Sequence, residues 1–194
     1  MTAIDVLRPS ARRSDLLYDA AWVAGGSVAV ALSAQVAIPL PFSPVPITGQ
    51  TLAALLIGAL LGSRLGALCI LLYISEGLLG VPVFAGGSAG LLRLLGPTGG
   101  YLAGMVLAAY VTGSLAERGW DRRPLTAALA MLCGNIAIYI LGLPWLAHFV
   151  GAGHVLAAGL LPFIPGDLLK LAIAATLLPA GWAILGRHAG GPRA

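Results

Sequence analysis

Apolar residues fall along this chain in blocks too continuous for the half-polar faces of a water-soluble helix. An uncharged run from Ala20 to Leu40 opens the series. Further runs cover Thr51–Leu61 (starting near Ile47), Leu65–Leu79, Tyr101–Leu115, Leu125–Val150 and Pro165–Leu185. A helix needs about 20 apolar residues to cross a hydrocarbon core of about 30 Å. The pattern predicts an all-α integral membrane protein with six transmembrane helices, the second rather short. It divides the chain into an N-terminal segment 1–19, a six-helix domain 20–186 and a tail 187–194.

The breaks between blocks are as informative as the blocks. Pro39, Pro41, Pro44 and Pro46 each lack a backbone donor and fix φ, so 41–50 reads as a structured loop. Gly62–Leu65 makes a tight turn containing Arg64. Residues 81–100 carry Pro82, Gly86, Gly87, Gly90, Gly96, Pro97, Gly99 and Gly100, with Arg93 as their one charge. A glycine-rich stretch at membrane depth is tolerated where it is buried in protein or lines a cavity, and glycine lets backbone approach a ligand closely. An ordinary extramembrane connector is the other reading. Residues 151–161, with His154, link the fifth span to the sixth.

Composition agrees with a membrane protein. Hydrophobic residues make up 59% of the chain and charged residues 9%, with a mean hydropathy of +0.95. A soluble domain carries about 25% charge, so this chain cannot clothe a water-facing surface. The net charge of +4 matters less than its distribution. Six spans put both termini on one side. Assigning that side to the cytoplasm places Arg8, Arg12, Arg13, Arg64, Arg118, Arg122, Arg123, Arg187 and Arg193 inside, leaving Arg93 outside and Lys170 in a span. The expected location is the cytoplasmic membrane, with the proline-rich loop, the glycine-rich loop and the start of the last helix sharing the outer side. The basic blocks sit beside spans without interleaved aromatics, which argues against nucleic acid. Met1–Asp19 has no apolar core before a cleavage site, so it does not read as a signal peptide.

Two charges stand out in the last block. Asp167 and Lys170 lie three apart in a segment otherwise apolar from Val155 to Leu185, and that spacing puts them on one helix face. A charge at the centre of a span costs roughly 2.5–3.5 kcal/mol, so such residues usually face a cavity and mark a ligand site or pathway. The alternative is an ion pair pinning two helices, a poor source of stability. Glu76, near the far end of the third span, reads as an interfacial carboxylate. Asn135 and Tyr139 share a face of the fifth helix at i, i+4, and Asn135 suits either a ligand or a helix–helix hydrogen bond. On the first helix, Ala20/Ala24 and Ala21/Gly25/Ala29 form small-residue stripes that let another helix approach, within this chain or from a partner.

Catalytic motifs are sparse. The chain has no G-x-x-x-x-G-K-[ST] phosphate loop, so it does not hydrolyse ATP by that route. Gly86–Gly90 matches G-x-S-x-G around Ser88, but that elbow needs a strand-to-helix turn backed by an acid–histidine pair. An intramembrane serine hydrolase is the minor alternative. Cys69 and Cys133 suggest neither a disulfide framework nor a metal site, and His148, His154 and His188 lack metal-ligand spacing. A pocket with apolar walls and a few polar groups suits a small molecule. Arg93 and Lys170 point to an anionic group on it, Asp167 and Asn135 to N–H donors.

Four motifs then converge on one resemblance. Pro44-Val-Pro-Ile-Thr-Gly-Gln-Thr51, Pro82-Val-Phe-Ala-Gly-Gly-Ser-Ala-Gly90, Gly96-Pro-Thr-Gly-Gly-Tyr101 and Pro162-Phe-Ile-Pro-Gly-Asp-Leu-Leu-Lys170 occur in that order and together resemble the BioY family. Its members are the biotin-specific substrate-binding subunits (S components) of energy-coupling factor transporters. The likeness spans about Ala20–Leu178. It implies six helices enclosing a vitamin near the outer face, without covalent chemistry or a cofactor, biotin being the transported ligand. It also implies a substrate-binding set of Thr48, Gln50, Phe84, Gly86, Gly87, Ser88, Arg93, Tyr101, Asn135, Asp167 and Lys170, although the family pattern varies at Ser88. By the same likeness, Ala20, Ala21, Ala24, Gly25 and Ala29 form the docking face for a transmembrane coupling subunit driven by two ATPases. A homo-oligomer is a further expected state, and an S component for another anionic vitamin of the thiamine or lipoate class is the alternative reading.

Overall fold

The structure, a computed structural model, describes residue 2 and residues 15–189, with side chains described at 2 and over 16–184. Its first helix, α1 (Asp15–Gln35), begins five residues ahead of the expected span and ends five before Leu40. Arg8, Arg12, Arg13 and Arg193, and the side chain of Arg187, lie outside the described residues. The residues after α1 form an antiparallel hairpin, β1 (Ala37–Leu40) and β2 (Ser43–Thr48), pairing Ala37 with Thr48, Ile38 with Ile47 and Leu40 with Ser43. The fold is therefore not purely helical. Proline excludes helix here yet tolerates the edge of a sheet, and both strands of a two-stranded ribbon are edges.

From Gly49 the chain enters α2 (Gln50–Leu61), turns at Gly62 (φ +85°) and continues as α3 (Ser63–Leu78). A short α4 (Leu91–Leu95) interrupts the glycine-rich stretch, followed by α5 (Gly99–Glu117) and a 3-10 turn (Trp120–Arg122). Then come α6 (Pro124–Val150), a short α7 (Val155–Gly159) and α8 (Ile164–Ala189). The six longer helices fall where the six apolar blocks fall. Four segments are long and apolar enough to cross a membrane: Leu16–Gln35, Gly99–Glu117, Pro124–Val150 and Val155–Ile184. At 1.5 Å per residue, α2 is only about 18 Å long and α3 about 24 Å.

Helix α5 sits at the centre, packed against α2, α3 and α6. Small residues permit this. A Cβ on Gly104 would lie 2.7 Å from the Ile138 carbonyl of α6, and one on Gly58 would lie 2.4 Å from the Ala109 carbonyl of α5. Without a hydrophobic drive between helices in lipid, such backbone approach supplies the packing contacts.

Helix α1 is the outlier, with only 11% of its apolar window buried. One polar contact fastens its middle: the Ser27 hydroxyl donates to Glu76 Oε2 at 2.5 Å. Glu76 is half-buried between α1 and α3 rather than a free interfacial carboxylate. Ser27, fully buried on α1, needs an acceptor at that depth, and Glu76 supplies it.

At the end away from the hairpin, Asp121 is 2% exposed. Its Oδ2 accepts the Trp182 indole N–H, and the Arg122 guanidinium lies 4.7 Å over the Trp182 ring. Asp121 Oδ1 has no partner among the described residues. Burial pushes this carboxyl above its ordinary value, and the Trp182 hydrogen bond, its own backbone and Arg122 oppose the shift.

Candidate ligand-binding site

A cavity, partly open to solvent, lies at the hairpin end, between the last residues of β2, the start of α2, the glycine-rich loop and helices α5, α6 and α8. Its walls include Val45, Phe84, Leu102, Met105, Ile138 and Phe163. Tyr101 holds an edge-on contact with Tyr139, ring centroids 6.3 Å apart, and donates its hydroxyl to the Gly159 carbonyl at 2.9 Å. Tyr101 therefore offers the cavity its ring while its polar end is already satisfied.

The polar groups converge on α8. Because Asp167 stands in the first turn of that helix, its carboxylate also has favourable interaction with the helix dipole. The Tyr139 hydroxyl donates to Asp167 Oδ2. Asp167 Oδ1 lies 3.6 Å from Lys170 Nζ, and that ammonium donates to Thr51 Oγ1 at 2.7 Å. The two charges belong to one helix, so their ion pair pins nothing; Lys170 reaches α2 through Thr51. Asn135 is buried at 4% exposure, lines the cavity, and makes no side-chain hydrogen bond among the described residues. A buried amide without a protein partner is a group waiting for a ligand or water.

Gln50 projects from the first residue of α2 and donates to Tyr73 Oη at 2.5 Å, while Tyr73 donates to the Val83 carbonyl at 3.2 Å. Thr48 in turn donates to Gln50 Oε1 at 3.1 Å. This chain ties the floor of the site to the glycine-rich loop. In that loop Phe84 and Ser88 pair backbone to backbone, Gly86 and Gly87 adopt φ of +70° and +68°, and Phe84 packs edge-on against Tyr73.

Of the residues expected to bind substrate, Thr48, Gln50, Phe84, Ser88, Arg93, Tyr101, Asn135, Asp167 and Lys170 line this one cavity. Gly86 and Gly87 do not. Gly86 borders an adjoining crevice between hairpin and loop, which also reaches Arg93. Gly87 turns its N–H to the Gln35 carboxamide. Their role is to bend the loop, since φ in the left-handed region excludes most side chains. The Ser88 hydroxyl donates to Ala85 O at 2.9 Å within its own loop, and no strand-to-helix elbow surrounds it. His148 and His154 are exposed.

Tyr139 and Thr51, which line the cavity, escaped the expected set, as did Gln35, which bonds the loop from outside it. The i, i+4 spacing from Asn135 puts Tyr139 on the right face, yet only the position of α8 makes it a partner of Asp167. No spacing rule links Thr51 to Lys170, 119 residues away.

The expected docking stripe is exposed throughout: Ala20, Ala21, Ala24, Gly25 and Ala29 all face outward, and a Cβ on Gly25 would meet nothing within 4 Å.

Comparison with known proteins places this geometry in context. The pattern of the BioY family matches residues 8–187. A probable biotin transporter BioY of Pyrococcus horikoshii is 42% identical over 143 residues, 74% of this chain and 83% of the relative. A biotin transporter BioY of Rhizobium etli is 38% identical over 171 residues, 84% of this chain and 90% of that one. A crystal structure described as the S-component for biotin from an ECF-type ABC transporter superposes with a TM-score of 0.78 at 23% identity, over 88% of this chain and 94% of the other. That likeness extends the shared fold to nearly the whole molecule. By the match over most of its length and by relatives well above 30% identity, the chain belongs to the BioY family.

Proposed function

We propose that this protein captures biotin at the outer face of the cytoplasmic membrane, as the S component of an energy-coupling factor transporter. The observation that carries the proposal is the charge count of the cavity. Asp167 contributes −1 and Lys170 and Arg93 contribute +1 each, so the lining sums to +1 within largely apolar walls. A monoanion with an apolar body matches that sum, and biotin, the substrate in its relatives' names, is one.

In this reading Asp167 and Asn135 receive the ureido ring. A carboxylate accepts N–H donors, and an amide supplies both a donor and an acceptor. Lys170 or Arg93 meets the valerate carboxylate in a charge-assisted contact, about twice as strong as a neutral one. Tyr101, Phe163 and Met105 cover the thiophane ring and chain. No bond is made or broken in the ligand.

In this reading the S component works with a transmembrane coupling subunit and two ATPases, the partners that its likeness to an ECF-transporter S-component supports. The exposed stripe of Ala20, Ala21, Ala24, Gly25 and Ala29 on α1 is the docking face for the coupling subunit. Six helices cross the bilayer with both termini cytoplasmic. The shorter α2 and α3, joined at Gly62, lean on α5 to span it.

Competition in purified protein tests the ligand assignment. Unlabelled biotin should displace labelled biotin at least about 100-fold more effectively than thiamine, riboflavin or lipoate, a gap of about 2.7 kcal/mol. Equal displacement by lipoate or thiamine would transfer the assignment to that vitamin.

A further inference from the structure

The loop that walls the cavity with Phe84, Ala85 and Ser88 has an unusual anchor outside the site. Gln35 is the last residue of α1, and its side chain grips both legs of the loop. One Nε2 hydrogen is shared between the Val83 carbonyl at 3.3 Å and the Phe84 carbonyl at 3.5 Å. Its Oε1 accepts the Gly87 N–H at 3.0 Å. The other Nε2 hydrogen goes to the Ala31 carbonyl one turn back, at 3.0 Å, which orients the side chain on its own helix. The backbone N–H of Gly87 can only donate, so the carboxamide orientation is determined by its neighbours.

Phe84 is packed against Tyr73, and it is the tip beyond it that depends on this grip. Gly86 and Gly87 are exposed, and a Cβ on either would meet nothing within 4 Å, so packing does not hold the tip. Gln35 is itself exposed, so its bonds act by fixing the geometry of the turn rather than by satisfying buried groups. It bonds one donor of the turn and shares one hydrogen between two of its acceptors. It does so from α1, which of the four candidate spans has least of its apolar surface covered.

We infer that Gln35 is the positioning residue of the binding loop: it fixes Phe84 and Ser88 over the ligand, sets how slowly the ligand leaves, and links the position of α1 to the cavity. The choice of probe rests on the biotin reading; the contact itself does not. Deleting the clamp should loosen a wall of the site without altering the groups that attract the ligand. Its signature is therefore in dissociation rather than association.

The test uses the full chain in nanodiscs, wild type beside Gln35→Leu and Gln35→Glu. In Gln35→Leu, biotin dissociation should rise about tenfold with association changed less than about threefold, and the Gly87 amide should exchange with solvent at least about tenfold faster. Gln35→Glu keeps the acceptor for Gly87 and loses both donors. It should retain wild-type protection at Gly87 and speed dissociation by about threefold, so it decides the matter if the leucine variant does not fold. A merely structural role would lower Tm without separating the two rates. Wild-type dissociation in a folded Gln35→Leu, or unchanged exchange at Gly87, overturns the inference. Failure of the wild-type chain to bind biotin would defeat the ligand assignment instead, and the exchange measurement would still decide the clamp.

Discussion

At the scale of single residues, the argument turns on Asp167 and Lys170. An acid and a base three apart in an apolar helix are visible in the sequence because hydrocarbon makes such residues rare. Their partners are not visible, because tyrosine, threonine and glutamine are ordinary residues whose role comes from tertiary placement. Tyr139 and Thr51 became site residues, and Gln35 a support of the loop, only once α8, α2 and the glycine-rich loop were in place. Glu76 shows the converse: a carboxylate near a helix end looks interfacial until Ser27 is found against it. Asp167→Asn keeps the shape and an acceptor for the Tyr139 hydroxyl but leaves Lys170 without its balancing charge. Biotin affinity of the purified variant should fall about tenfold or more, at least about 1.4 kcal/mol. Unchanged affinity would remove Asp167 from the ligand contacts.

Among elements, six helices were readable from hydrophobic runs, while the hairpin was not. Four prolines in eight residues exclude a helix, but they do not distinguish a loop from a two-stranded ribbon whose bonded positions happen to avoid them. Small residues announce close packing without saying where. Gly104→Val would force Cβ into the Ile138 carbonyl, and Tm should fall by the equivalent of about 1–3 kcal/mol of overpacking. Gly25→Val meets open space and should leave the isolated chain's melting nearly unchanged. Equal destabilisation by the two would contradict the central position of α5. The turn between α5 and α6 carries a pH signature. The raised Asp121 carboxyl means the folded chain binds a proton at pH values where the unfolded chain, near 3.8, has released it. Stability from this group is present at low pH and falls as pH rises from 3.8 through the folded value. Compared with Asp121→Asn, which does not titrate, the wild type should gain relative stability on acidification in detergent melts. A constant difference across pH would contradict the shift.

For the whole molecule, the parts divide by end. The hairpin, the glycine-rich loop and the polar start of α8 meet around one cavity. Asp121, Trp182 and the Gly62 turn lie at the other end, on the side to which the basic residues point. One surface of α1 remains open along its small residues, while its final side chain holds the loop of the site. In the proposed function the open stripe receives the coupling subunit and the held loop shapes the ligand site. All of it depends on the cavity accepting a single anionic vitamin. The direct measurement is isothermal titration of the purified chain with biotin. The account predicts saturable one-to-one binding, weakened when the carboxylate is replaced by a neutral amide. Absence of binding, or equal affinity for acid and amide, would contradict it.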